Sequence, residues 1–188
     1  VIVSADLTND SNNRIFLTLS QPLATNGSDD GEYTVIINLT DKAGNTKRIE
    51  HPLVYDTQAP TLVSTDPADG TLHSDDITLI TANLADRGGS GIDFAASQLT
   101  LLDANGNSIS GKRNNDGRAR MTLQINGLAA DGNYTVRILA IDRAGNGANA
   151  PFEVRFLFST SVPVVASTVP VTPPAEKAFT NKSLSQVE

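Results

Sequence analysis

Asp30-Gly31-Glu32-Tyr33-Thr34-Val35 returns further along the chain as Asp131-Gly132-Asn133-Tyr134-Thr135-Val136, 101 residues later. Asp41-Lys42-Ala43-Gly44-Asn45 returns as Asp142-Arg143-Ala144-Gly145-Asn146, again displaced by 101. Two separate blocks that keep one offset mark an internal repeat. Solenoid turns recur every ~20–50 residues, so a period of this length is that of a whole domain.

Between the blocks lies a strand with alternating faces. Tyr134, Val136, Ile138 and Ala140 point one way, and Thr135, Arg137, Leu139 and Ile141 the other. Tyr33, Val35, Ile37 and Leu39 repeat the apolar face in the first copy. After the Ala-Gly-Asn turn, Phe152, Val154, Phe156 and Phe158 alternate with Glu153, Arg155 and Leu157, so the two segments read as a hairpin. Upstream, Ala119, Met121, Leu123 and Ile125 form one strand face and Leu99 and Leu101 another. Ile77 to Ala85 is a longer apolar strand whose register is expected to shift at a bulge, and Leu62 and Val63 follow Pro60. The segments between strands hold Gly, Asn, Asp or Pro, including Asn105-Gly106. About seven antiparallel strands in about 100 residues predict an all-β, immunoglobulin-like sandwich, with the hairpin as its F–G pair.

Composition agrees. The 188 residues are 39% hydrophobic, enough for a packed core, and contain no cysteine, so no covalent bond staples the fold. Two histidines are too few for a zinc cluster, which leaves oxygen as the ligand for any metal. A net charge of −7 repels phosphate backbones and anionic lipid, so nucleic acid is not expected as a partner. No apolar run reaches the ~18 residues of a membrane span, so membrane insertion is not expected either. A chain that opens on Val1 reads as a processed or excised piece.

Asp56-Thr57-Gln58-Ala59-Pro60, Asp66-Pro67-Ala68-Asp69-Gly70 and Asp86-Arg87-Gly88-Gly89-Ser90-Gly91-Ile92-Asp93, followed by the two repeated blocks, resemble the tandem bacterial immunoglobulin-like domains of large adhesins and surface proteins. The resemblance covers residues 57–158 as a complete repeat and residues 1–56 as a partial one. Arg14 to Leu19 correspond to Arg118 to Leu123, and Val1 to Val3 fall near the Leu99 strand, which leaves nothing for strands A and B. A sandwich without those strands exposes its inner face. Residues 159–188 are rich in Pro, Val, Ser and Thr, as in a linker or extended tail. In a sharper reading, Val162, Val164 and Ala166 share one face of a donor strand that completes the partial repeat of an identical subunit, while Pro163 and Pro170 limit the inserted length.

Five oxygen-bearing residues converge by topology. Asp86 and Asp93 lie in the B–C loop, Asp142 and Asn146 bound the F–G turn, and Asp56 precedes strand A, all at one end of the sandwich. Calcium takes six to eight oxygens and suits such a set, and the resemblance implies calcium at repeat junctions. Asp and Asn before Gly are also ordinary turn formers, so local turn chemistry stands as the alternative. Tyr33 and Tyr134 are placed for a tyrosine corner, each phenol bonding back to the preceding loop.

No nucleophile–base pair argues for catalysis. The expected function is a non-catalytic structural module of an extracellular or cell-surface protein, a spacer or filament segment whose partners are neighbouring domains or identical subunits. An adhesin or carbohydrate-binding module would need an aromatic platform, and aromatics are only 5% of the chain. An accessory domain of a secreted enzyme is the third reading.

Overall fold

The computed structural model describes residues 5–9 and 14–162. Among these residues the chain forms thirteen strands and no helix. β5 (Thr61–Asp66), β7 (Leu79–Ala85), β10 (Lys112–Asn115) and β11 (Arg120–Gln124) make a sheet in the order β10-β11-β7-β5. β6 (Leu72–His73), β8 (Gln98–Leu102), β9 (Ser108–Ile109), β12 (Gly132–Leu139) and β13 (Phe152–Phe158) make the second, in the order β6-β13-β12-β8-β9. Seven strands of four residues or more, plus the two-residue β6 and β9, give an immunoglobulin-like sandwich.

Alternation in sequence becomes alternation in burial. Along β7, Ile80 and Ala82 are wholly buried and Leu84 nearly so, and they face Val136 and Ile138 of β12 across a core completed by Met121, Leu123, Val154 and Phe156. Each fully buried aliphatic or phenylalanine side chain contributes about 1.5–3 kcal/mol. The bulge is on the partner of the strand expected to carry it. β7 alternates without a break, and β5 inserts Val63 as an extra residue between the Leu62–Leu84 and Ser64–Asn83 pairs. Val63 is pushed outward and Leu62 still reaches the core. Gly106, in the Asn-Gly turn joining β8 to β9, has a φ of 81°, a left-handed conformation costly for any residue with a Cβ.

The first repeat forms two hairpins. β1 (Ala5–Asn9) pairs with β2 (Ile15–Leu19), as β10 pairs with β11, and β3 (Gly31–Thr40) pairs with β4 (Thr46–Tyr55), as β12 pairs with β13. No counterpart of β5, β7 or β8 occurs among the described residues before Tyr55, and Val1 to Val3 lie outside them. Leu39, Ile49 and Leu53 therefore stay open to solvent on the face that is core in the second repeat. The two phenols occupy equivalent corners. Tyr33 Oη donates to the Asp29 carbonyl and Tyr134 Oη to the Ala130 carbonyl, both at 2.6 Å. Tyr134 also stacks on Phe156 at 5.6 Å between centroids. At the other end, Val162 is exposed, and Val164 and Ala166 lie outside the described residues.

Candidate metal centre

The chain leaves β4 at Tyr55 and passes through Asp56 and Thr57 before β5, so Asp56 lies in the connection between the first repeat and the second sandwich. Its carboxylate is buried at the end of the second repeat, against the β7–β8 loop and the β12–β13 turn. Gly88 makes this possible, because a Cβ there would lie 1.7 Å from Asp56 Oδ1. Oδ1 accepts the Gln58 amide at 3.0 Å and Oδ2 the Ser90 amide at 3.1 Å. Burial raises the Asp56 pKa, but the Ser90 hydroxyl nearby and the Gln58 and Ser90 amides outweigh it and hold the carboxyl below its ordinary value. Asp56 is therefore charged at neutral pH.

Asp86 and Asp142 complete the group. One carboxylate oxygen from each of Asp56, Asp86 and Asp142 lies within 4.8 Å of the other two. Asp142 is wholly buried. Asp86 Oδ2 accepts the Gly91 amide, while its Oδ1 is buried without a hydrogen-bond partner, as is Ser90 Oγ. No Lys or Arg of the described residues forms an ion pair with the three. Two unit charges ~5 Å apart repel by about 3 kcal/mol at an effective dielectric constant of about 20. A cation at the centre would turn the repulsion into attraction and give Asp86 Oδ1 its missing partner.

Asn146 holds the middle of the group. Its Nδ2 donates to the Asp56 carbonyl at 3.0 Å and to Asp142 Oδ2 at 2.9 Å, and it reaches Asp56 Oδ1 at 3.5 Å. Rotating the amide by half a turn would present Oδ1 in the same place, a ligand instead of a donor. Asp93 takes no part. Its Oδ1 accepts the Ala95 and Ala96 amides at 2.9 and 3.1 Å, closing its own turn, so for Asp93 turn chemistry is the role.

A motif occurring three times separates turn chemistry from the rest. Asp41–Asn45, Asp103–Asn107 and Asp142–Asn146 all read Asp-x-x-Gly-Asn. In each, the Asp Oδ1 accepts the Asn backbone amide and the Oδ2 accepts the Asn Nδ2. Asp41 is exposed and Asp103 half-buried, whereas Asp142 has the same local bonds fully buried beside Asp56 and Asp86. Asp142 thus closes its own turn and also stands in the three-carboxylate group. The Gly88-Gly89-Ser90-Gly91 loop carries more of the site than its composition suggests, since Gly88 makes room and the Ser90 and Gly91 amides hold the carboxylates. A glycine run flanked by Asp86 and Asp93 was the available signal.

Among curated proteins no sequence matches the chain. Solved structures similar to it include CopC from Methylosinus trichosporium OB3b, at 20% identity over 56% of this chain and 99% of that one, with a TM-score of 0.46. PcoC, a methionine-rich copper resistance protein from Escherichia coli, is similar at 14% identity over 54% of this chain and 100% of that one, with a TM-score of 0.46. The Lin-41 filamin domain is similar at 15% identity over 54% and 93%, with a TM-score of 0.35. Two family models match in succession, each described as a bacterial Ig-like domain, one over residues 8–57 and the other over residues 56–160. With more than half of its length under the second match, the chain belongs to the bacterial Ig-like domain family.

Proposed function

We propose that this chain is a non-catalytic spacer segment of a protein outside the cytoplasm, and that calcium stiffens the junction between its repeats. The family supports a structural or surface module. The observation that carries the cation is the convergence of Asp56, Asp86 and Asp142 around a buried, unpartnered Asp86 Oδ1 at the point where one repeat passes into the next. All the donors are oxygens, which favours a hard cation, and the mixed loop and linker origin of the ligands favours calcium over magnesium, which demands a tighter octahedron.

The mechanism is mechanical. Asp56 lies in the connection, whereas Asp86 and Asp142 are fixed to the second sandwich, so a shared ion ties the connection down and removes its freedom to swing. Spacers that hold a binding partner at a distance need stiff joints of this kind.

Calorimetric titration of the full chain with calcium tests the reading, alongside thermal unfolding with and without chelator. A hundredfold excess over Kd stabilises a folded state by about 2.7 kcal/mol, which raises the midpoint of a domain this size by roughly 10 °C. Asp86→Asn should abolish the shift. Absence of binding heat, together with a melting midpoint indifferent to calcium, would leave the three aspartates as turn and junction formers only.

A further inference from the structure

Thr57 is held from the side opposite to Asp56. Asp30, at the end of the loop between β2 and β3, accepts the Thr57 amide at 3.1 Å and the Thr57 hydroxyl at 2.8 Å, both on Oδ1. Asp30 Oδ2 is buried as well, so the carboxylate is enclosed on that side. The loop that carries Asp30 is itself bonded, since Asp29 Oδ2 accepts the Ala24 amide at 2.7 Å and the Asp29 carbonyl accepts the Tyr33 hydroxyl. Gln58 lies across Gly27 of the same loop, where a Cβ would sit 1.6 Å from Gln58 Nε2. Asp30 is thus fixed in the first repeat and reaches forward into the connection.

The consequence falls on one peptide unit. The carbonyl of Asp56 and the N–H of Thr57 share a plane, because partial double-bond character prevents rotation between them. The second sandwich holds the carbonyl, which accepts Asn146 Nδ2 at 3.0 Å, and the first repeat holds the N–H. Fixing both ends of that plane fixes the Cα of Asp56 and the direction in which its carboxylate leaves the chain. We propose, on the cation reading above, that Asp30 is the positioning residue of the carboxylate group. By holding Thr57 it sets Asp56 against Ser90, Asp86 and Asp142, and so places cation affinity under the control of the first repeat.

The same clamp occurs without the site where the chain leaves β13. Asp131, 101 residues after Asp30, accepts the Thr160 amide and hydroxyl on Oδ1, both at 2.9 Å. The residue before Thr160 is Ser159, whose hydroxyl turns back to Asp131 Oδ2 at 3.0 Å, so the position of Asp56 is filled there by another donor to the clamp. The clamp alone therefore guides the chain, and only with Asp at the preceding position does it carry a ligand into place. Coupling between two binding events is reciprocal: the factor by which the clamp tightens cation binding is the factor by which the cation tightens the clamp. A bound cation then holds the Asp30 loop as well as the connection.

Thr57→Val in the full chain tests the proposal, because it removes one of the two bonds and changes no charge. The Ser90 amide, which donates to Asp56 and not to Asp30, should then exchange with deuterium about fivefold faster in metal-free protein. Thr57→Ser, which keeps both donors, should leave Ser90 at the parental rate, and Asp30→Ala, which removes both bonds, should raise it at least about tenfold. The Gly91 amide, held by Asp86, should keep its rate in all three variants. Titration calorimetry with calcium chloride should show affinity about fivefold weaker in Thr57→Val and unchanged in Thr57→Ser. Unchanged Ser90 exchange in both Thr57→Val and Asp30→Ala would overturn the proposal, and so would parental calcium affinity in Thr57→Val. A parent that binds no calcium while Ser90 still loosens in the variants would remove the cation reading and leave Asp30 as the residue that sets Asp56.

Discussion

The β3–β4 and β12–β13 hairpins are the same structure drawn twice, with opposite fates. Both turn on Asp-x-x-Gly-Asn, and both set a tyrosine across from a large apolar residue, Tyr33 opposite Leu53 and Tyr134 opposite Phe156. In the second, the inner face is core, with Val136 and Ile138 wholly buried and Phe156 at 2% exposure. In the first, Leu39, Ile49 and Leu53 are each 37% exposed. Local sequence is therefore sufficient for the hairpin and insufficient for the sandwich, since burial comes from β7 and β11, and the first repeat shows no counterpart of β7 among its described residues.

Truncation of the paired positions puts the largest effect on this contrast. Phe156→Ala should cost about 3–5 kcal/mol in urea unfolding followed by circular dichroism, as a large aromatic removed from a close-packed core does. Leu53→Ala, one repeat earlier at the matching position, should cost less than about 1 kcal/mol because water already reaches it. Equal costs would show that something covers the first face in solution and would break the contrast.

Removal of one hydroxyl sharpens it. Tyr134→Phe removes the bond to the Ala130 carbonyl from a phenol whose ring is buried, and should cost about 1–3 kcal/mol. Tyr33→Phe removes an equally short bond from a phenol whose ring is only half-buried, so the loss should be smaller. If Tyr134→Phe proves neutral, its stacking on Phe156 and not its hydroxyl fixes the corner.

The contrast also explains what was legible in the sequence. Period-two alternation at Tyr134–Ala140 and Phe152–Phe158 has one physical cause, a sheet with one face in the core, and it reads directly. β10 was not legible, since Lys112, Arg113, Asn114 and Asn115 are all exposed on an edge and carry no apolar signal. The bulge was expected on the strand with the longer apolar run, but its placement depends on which strand can turn a residue outward, and the edge residue Val63 can. At the site, Asp56, Asp86, Asp142 and Asn146 followed from topology, because loops of known order meet at one end. Asp93 lies in the same loop as Asp86 but outside the carboxylate group, its Oδ1 taken by two amides within three residues of it. Asp30 and Asp131 were read only as part of a repeat marker. Their task lies in contacts 27 and 29 residues away, which spacing alone does not disclose.

The smallest effect is expected in acid, and it asks whether the turns need the sandwich at all. The Asp41 carboxyl, in the first repeat, is held below its ordinary value chiefly by the Asn45 side-chain amide, and that of Asp103, in the second, chiefly by the Asn107 backbone amide. Asp116, where the chain turns from β10 to β11, is lowered to about 2 by the Arg120 and then the Arg118 amide. A folded-state pKa below the unfolded value contributes stability that is complete above the unfolded value, near ~4, and is lost as pH falls through the folded one. These turns should therefore survive down to about pH 4 and yield between there and about pH 2 for Asp116. Side-chain carboxyl resonances followed by NMR through this range check it residue by residue. Depressed midpoints at both Asp41 and Asp103 would mean that each turn is self-sufficient, as expected if the β3–β4 hairpin forms without a covered face. An ordinary midpoint at Asp41 beside a depressed one at Asp103 would mean that the turn needs the core behind it, and that the first hairpin closes only when another sheet lies against it.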